Sequence, residues 1–180
     1  NNTLRKISIE EMKQLTEKYG DSVNLGVFTG DEILYVETME GTFPLKFIET
    51  IGTTAPFHAS AIGKVILAFL DKEKAESIIE NATLTPITPY TITDKNELLN
   101  VLKKIKKDGF AIDDQEVVEG ARCIGAPIFN MYGEVIAAIS LSGAIHRYPD
   151  EDVESIAASV KKAANNISHK KGYTVPSTSN

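Results

Sequence analysis

Two apolar runs in close succession constrain this chain more than any other feature. Residues 121–129 (ARCIGAPIF) and 134–142 (EVIAAISLS) each have the length of a strand, and Asn130–Gly133 (NMYG) between them is turn chemistry. A hairpin this apolar belongs inside a sheet, with the remaining elements arranged to cover it. Alternation along the second run predicts a core face of Val135, Ala137, Ile139 and Leu141, and an opposite face of Ile136, Ala138, Ser140 and Ser142. The second face carries two hydroxyls about 7 Å apart at the end of an otherwise apolar strand. Cys123, the chain's only cysteine, stands on the partner strand. Small polar groups among apolar neighbours at a sheet end describe the lining of a small-molecule pocket. The alternative is that both serines face water.

The rest of the chain supplies the cover. Ser8 with Glu11 is a capping-box pattern, followed by Met12, Leu15 and Tyr19 at helical spacing and a stop at Gly20. Residues 22–29 and 32–39 alternate as strands about a Gly30-Asp31 turn, and 45–50 reads as a third strand in a meander. Residues 51–57 are expected to be a loop, and 58–70 a helix with Ile62, Val65, Ile66 and Phe69 on its apolar face. Short helices are expected after Asp71 and from Asp94 to Gly109, then a strand at 110–113 and a final helix over about 150–170. Strands interleaved with helices in this order make an α+β domain of five or six strands. Residues 1–172 form that domain, and 173–180 read as a disordered tail.

Composition narrows the chemistry. At 180 residues the chain supports one domain with a sizeable core. A formal charge of −6 and a pI near 5.1 disfavour nucleic-acid binding by this chain itself. One cysteine excludes an internal disulfide and any Cys₄ or Cys₂His₂ metal site, and fits a cytoplasmic location. No apolar run approaches the ~18 residues of a membrane-spanning helix. The chain opens on Asn1 rather than Met and enters a helix almost at once, as expected of a piece of a longer protein.

Three constellations bear on function. The segment Pro56–Lys64 (PFHASAIGK) enters a helix through small residues, where the unpaired amides of Ala61 and Ile62 and the positive helix end favour an anion. Tight packing of that helix on the sheet explains the same small residues, and Lys64 reads as a solvated lysine. His58, Asp113 and Cys123 invite a nucleophilic reading or a metal site, but no thiol-enzyme signature and no short-range ligand spacing accompanies them. The lysines at 103, 104, 106 and 107 are a solvated helix end.

Pro56–Lys64, Lys107–Gly120 (KDGFAIDDQEVVEG), Cys123–Ile128 (CIGAPI) and Ala137–Gly143 (AAISLSG) together resemble the effector-binding domain of IclR-family transcription regulators, in the expected order across Thr3–Gly172. The resemblance implies a GAF-like α+β domain with a six-stranded antiparallel sheet flanked by helices. It implies an effector pocket touched by the backbone of Ala61 and Ile62, the side chains of Asp113 and Cys123, and the hydroxyls of Ser140 and Ser142. Phe47, Ala55 and Ala121 would stand in its apolar wall. The effectors implied are small organic acids, with no cofactor and no catalytic residue. The partners implied are a second copy, as a homodimer or dimer of dimers, and operator DNA through an N-terminal winged helix-turn-helix outside residues 1–180.

Gln115 departs from the pattern where an acidic residue is common, and Gly125 where alanine is usual; Phe47 and Phe57 bring aromatic bulk toward the site. Asp113 beside a ligand carboxylate is repulsive unless it is protonated or meets a hydroxyl, which favours an acid with a neighbouring hydroxyl or keto group. Two rival readings are an enzyme using Cys123 as nucleophile and a purely structural dimerisation module.

Overall fold

The expected apolar hairpin lies within a six-stranded antiparallel sheet. In the computed structural model, which describes residues 2–44, 46–47 and 49–175, the elements run α1 (Asn2–Tyr19), β1 (Ser22–Phe28), β2 (Ile33–Met39), β3 (Thr54–Ala55), α2 (Ala61–Phe69), α3 (Lys72–Glu80), α4 (Lys95–Asp108), β4 (Ala111–Asp114), β5 (Ala121–Phe129), β6 (Val135–Ala144) and α5 (Val153–Lys170). The strand order is β3-β2-β1-β6-β5-β4, every pairing antiparallel. One face of the sheet is covered by α1 and α5, whose apolar stripes bury Met12, Leu15, Ile156, Val160 and Ile167 against Leu25, Ile139 and Leu141. The other face carries α2, backed by α3 and α4.

The departures from expectation have local causes. Ser8 does not cap a helix: α1 begins at Asn2, and the Ser8 hydroxyl on its buried stripe donates to the Leu4 carbonyl at 2.7 Å. The helix expected from His58 begins at Ala61, because Ser60 is extended and its Oγ accepts the Gly63 N–H at 3.1 Å. Asp94 and Gly109 behave as expected, the first accepting the Glu97 N–H and the second adopting φ +82° at the helix end.

The third strand is Thr54–Ala55, inside the expected loop, and not 45–50. After β2 the chain turns across the end of the sheet, where Phe43 packs under Gly20 and the Arg147 guanidinium. Residues 46–47 and 49–50 then run free of the ladder. Leu45 and Ile48, part of that expected strand, lie outside the described residues, as do residues 176–180 of the expected tail; Tyr173 stacks on Phe129 at 5.0 Å. Val135 also changes sides. The register shifts opposite Ile128 and Phe129, where Ile136 is the extra, unpaired residue of a bulge on β6, so Val135 faces α2 while Ala137, Ile139 and Leu141 face α1 and α5.

What positions the site is the closeness of α2 to the sheet. A methyl on Gly125 would sit 3.2 Å from Ala61, and one on Gly26 3.0 Å from the Ile62 side chain. Behind the helix start, a methyl on Gly63 would overlap the Phe57 carbonyl. The helix is also tied down by charge. Lys64, 1% exposed rather than solvated, reaches from α2 to the end of β4. Its Nζ donates to Glu116 Oε1 and Oε2 at 2.8 and 2.6 Å and to the Ile112 carbonyl.

The ion pair and the close packing of α2 each carry an expected effect on stability. Lys64→Met leaves the Glu116 carboxylate buried without its cation and is expected to lower stability in denaturant titrations by about 3–5 kcal/mol, most of it recovered in Lys64→Met/Glu116→Gln. Gly63→Ala is expected to cost about 1–3 kcal/mol, since the opposing atoms are backbone. Gly125→Ala, which needs α2 to give only slightly, should fall below Gly63→Ala.

Candidate functional site

Between the start of α2 and the sheet lies a narrow cavity of about 30 Å³. Its floor is built from two neighbouring rows of strand residues that the antiparallel register aligns. Asp113 on β4 pairs with Cys123 on β5, which pairs with Ser142 on β6. The next row is Gly125, Ser140 and, on β1, Asn24. These side chains share the face toward α2 because residues two apart in a strand point the same way. The roof is the first turn of α2. Ser60 Oγ takes the Gly63 N–H and the Ser60 carbonyl takes the Lys64 N–H, so the amides of Ala61 and Ile62 have no partner among the described residues. Phe47, Glu49, Val117 and Val118 form the mouth.

The electrostatics of the floor follow from burial. Asp113 is 5% exposed, and its carboxyl is pushed up to about 7. Desolvation is the largest cause; the Lys64 ammonium opposes it, and the neighbouring Glu116 carboxylate adds to it. Asp113 Oδ1 accepts the Glu116 N–H at 2.8 Å, which closes the turn after β4. That turn holds Gln115 at φ +61° and is pinned from outside by the Thr88 and Thr91 hydroxyls on the carbonyls of Gln115 and Glu116. Burial raises Glu49, and it raises the Cys123 thiol well above its ordinary range, with Asp113 adding to the latter. A thiol held protonated is not poised as a nucleophile. The Lys64 charge is directed at Glu116, not into the cavity.

Of the residues singled out in the sequence, Ala61, Ile62, Asp113, Cys123, Ser140, Ser142, Phe47 and Ala121 all line this one cavity. Ala55 does not. It sits on β3, opposite Ile33, and packs with Phe57 in the core beneath α2, because β3 pairs beyond the cavity end of β2. Phe57 is directed into that same core, edge-on to Phe28, and away from the site. His58 is also elsewhere: its Nε2 lies 2.9 Å from the Thr85 carbonyl and its ring packs against Phe57. The nucleophilic and metal-binding trio of His58, Asp113 and Cys123 is therefore not assembled. Among the described residues no group of three or more His, Cys, Asp or Glu side chains is arranged to hold a metal ion.

The sequence reading missed Asn24, Tyr35, Glu49, Ser60, Val117 and Val118. Asn24 had a visible signal, a polar side chain alternating with Val23 and Leu25 in an apolar strand. Tyr35 and Glu49 had none, since only the pairing of β2 into the sheet brings Tyr35 to the cavity and only the fold of the segment after β2 brings Glu49. A roomier groove of about 200 Å³ lies between α2, α3 and α4. Leucines 67, 70, 99 and 102 line it and lysines stand at its rim, so it lacks the convergent polar groups of a specific site.

With this geometry in view, the chain's likenesses are consistent. The family described as Bacterial transcriptional regulator IclR C-terminal matches residues 1–169. The regulator KdgR of Escherichia coli is 33% identical over 163 residues, which cover 91% of this chain and 62% of KdgR. The crystal structure of the KdgR C-terminal domain superposes with a TM-score of 0.86 at 32% identity, covering 94% of this chain and 99% of that one. Thermotoga maritima IclR gives a TM-score of 0.91 at 32% identity, over 94% of this chain and 69% of that one. The inducer-binding domain of PobR from Acinetobacter, solved as a double mutant in complex with 3-hydroxybenzoic acid, gives 0.79 at 25% identity, over 91% and 96%. These relatives are named as regulators and not as enzymes. The chain belongs to the IclR family of transcriptional regulators and is the family's C-terminal, effector-binding domain.

Proposed function

We propose that this domain senses a small organic acid in the cavity beneath α2. The observation that carries the reading is the meeting of two unpaired helix amides with two serine hydroxyls, a thiol and a carboxyl whose pKa is raised to about 7 across one hollow. The amides of Ala61 and Ile62 receive the ligand carboxylate at the positive helix end. Ser140 and Ser142 add hydrogen bonds from below. Protonated Asp113 donates to the acid or to a hydroxyl or keto oxygen beside it. Cys123 is a wall of the pocket and not a reagent. The complex of PobR with 3-hydroxybenzoic acid supports an organic acid as the class of ligand.

Because the cavity is narrow, ligand entry requires the mouth to yield. Val118, 43% exposed on the loop that follows the Asp113 turn, is the wall with the least packing to lose. The movement supplies the signal. In the full-length regulator the domain assembles as a homodimer or a dimer of dimers. Occupancy favours one arrangement of subunits and so changes the spacing of DNA-binding domains that lie outside residues 1–180. Such control needs only a difference in effector affinity between two assemblies.

Calorimetric titration with a panel of small keto, hydroxy and aromatic acids tests the reading, and binding of none of them overturns it. With a binding acid in hand, Ser140→Ala is expected to weaken affinity by about 10- to 100-fold, the size of one hydrogen bond to a charged group. Ser140→Leu fills the cavity and abolishes binding, whereas Cys123→Ser retains it. The pH profile has a defined sign. Below pH 7 Asp113 is protonated, and above it the ionised carboxyl repels the ligand. Affinity for a monocarboxylate should therefore fall as pH rises past 7, by up to about tenfold per unit for one linked proton. Asp113→Asn flattens that fall.

A further inference from the structure

Charge is distributed unevenly around the cavity. Glu49 and Asp113 supply two carboxyls, and no lysine, arginine or histidine stands among the described lining residues. The neighbouring cations are engaged elsewhere: Lys64 with Glu116, Lys46 with Glu40 and Arg147 with Asp21. Among the described residues no cation pairs with Glu49, which is half-buried at the mouth. Its carboxylate nonetheless acts on the interior of the cavity. Burial is the main cause that raises the Tyr35 hydroxyl, and the Glu49 charge is the next; it also adds to burial and Asp113 in raising the Cys123 thiol on the floor.

We propose that the ligand is a zwitterion, a small amino acid whose carboxylate meets the amides of Ala61 and Ile62 and whose ammonium pairs with Glu49. The inference rests on the sensing reading above and adds the chemistry of the second ligand group. A purely anionic ligand carries one more negative charge into a hollow already lined by two carboxyls. The positive feature there to receive it is the start of α2, equivalent to roughly half a charge. An ammonium carried in with the carboxylate brings the filled cavity closer to neutral and gives Glu49 the cation that the protein directs elsewhere. A hydroxyl also donates to a carboxylate but leaves its charge uncompensated, so it is the weaker partner. Because Glu49 stands at the mouth and is only half-buried, the ammonium keeps part of its hydration, which limits its desolvation penalty.

Matched acids that differ only in the amine test this. Glycine, β-alanine and 4-aminobutyrate, which vary the distance between the two charges, are titrated calorimetrically beside acetate, propionate and butyrate and beside the hydroxy acids glycolate and 3-hydroxypropionate. The same titrations are run on Glu49→Gln, which keeps the shape of the mouth and removes the charge, with Glu49→Ala in reserve should the glutamine variant fail to fold. At least one amino acid is expected to bind the unaltered protein about 10-fold or more tighter than its amine-free counterpart, as a hydrogen bond between charged groups implies. Glu49→Gln is expected to weaken that amino acid and to strengthen the amine-free acid, whereas a merely structural role for Glu49 would weaken both. Amine-free or hydroxy acids that bind the unaltered protein as well as the amino acids, a preference that survives the substitution, or no binding of any amino acid overturns the pairing with Glu49. If keto, hydroxy or aromatic acids still bind, the sensing reading stands without it; if no acid of either set binds, both fall.

Discussion

The buried ammonium of Lys64 is the contact on which the geometry of the cavity depends. Taking a lysine to 1% exposure carries a large desolvation penalty, offset here by both oxygens of Glu116 and a backbone carbonyl. One end of this pair is the first turn of α2 and the other is the turn after β4, so it fixes the roof of the cavity relative to its floor. It also explains why Asp113 and Glu116 coexist three residues apart. One carboxylate takes the cation, and the other, held by the Glu116 N–H, has its pKa raised to about 7 by burial. The acid proposed as ligand needs such an arrangement, because a fully ionised floor would repel it.

Close approach does the rest. Gly26 and Gly125 lie under the first turn of α2, where a side chain would press on Ile62 or Ala61. The two glycines let the helix end come low enough for its free amides to face the strand hydroxyls. Gly125 therefore acts through packing. The same closeness keeps the cavity narrow and limits ligand size.

The polar lining divides by origin. Asp113, Cys123, Ser140 and Ser142 come from neighbouring strands whose register puts them in line, which makes the floor rigid. Phe47, Glu49, Val117 and Val118 come from segments outside the ladder, and the proposed sensing assigns the movement to them. A sensing domain needs both, a fixed set of contacts to define the ligand and a wall whose displacement reports it.

Alternation along residues 135–142 and the small residues of 56–64 pointed to Ser140, Ser142, Ala61 and Ile62, because a strand's face and a helix's free amides are set by local geometry, whereas Phe47, Asp113, Ala121 and the contact role of Cys123 followed only from the family resemblance. The capping of α4 by Asp94 and its termination at Gly109 were equally local. Ala55, Val135 and the third strand were misjudged for one shared reason: a bulge or a neighbouring pairing decides which way a short segment faces, and neither is encoded in the segment itself. Lys64 is the sharpest case. By sequence alone it is a lysine on a helix, to be left in water; only the fold brings Glu116 from 52 residues away to receive it. Asn24, a polar side chain in an apolar strand, was passed over, and that its oxygen meets no partner among the described residues is a property of the assembled sheet. Sequence determined the elements and the chemistry available to them, since those depend on neighbours along the chain. Tertiary structure decided which of those groups are buried together, since burial and pairing depend on neighbours in space.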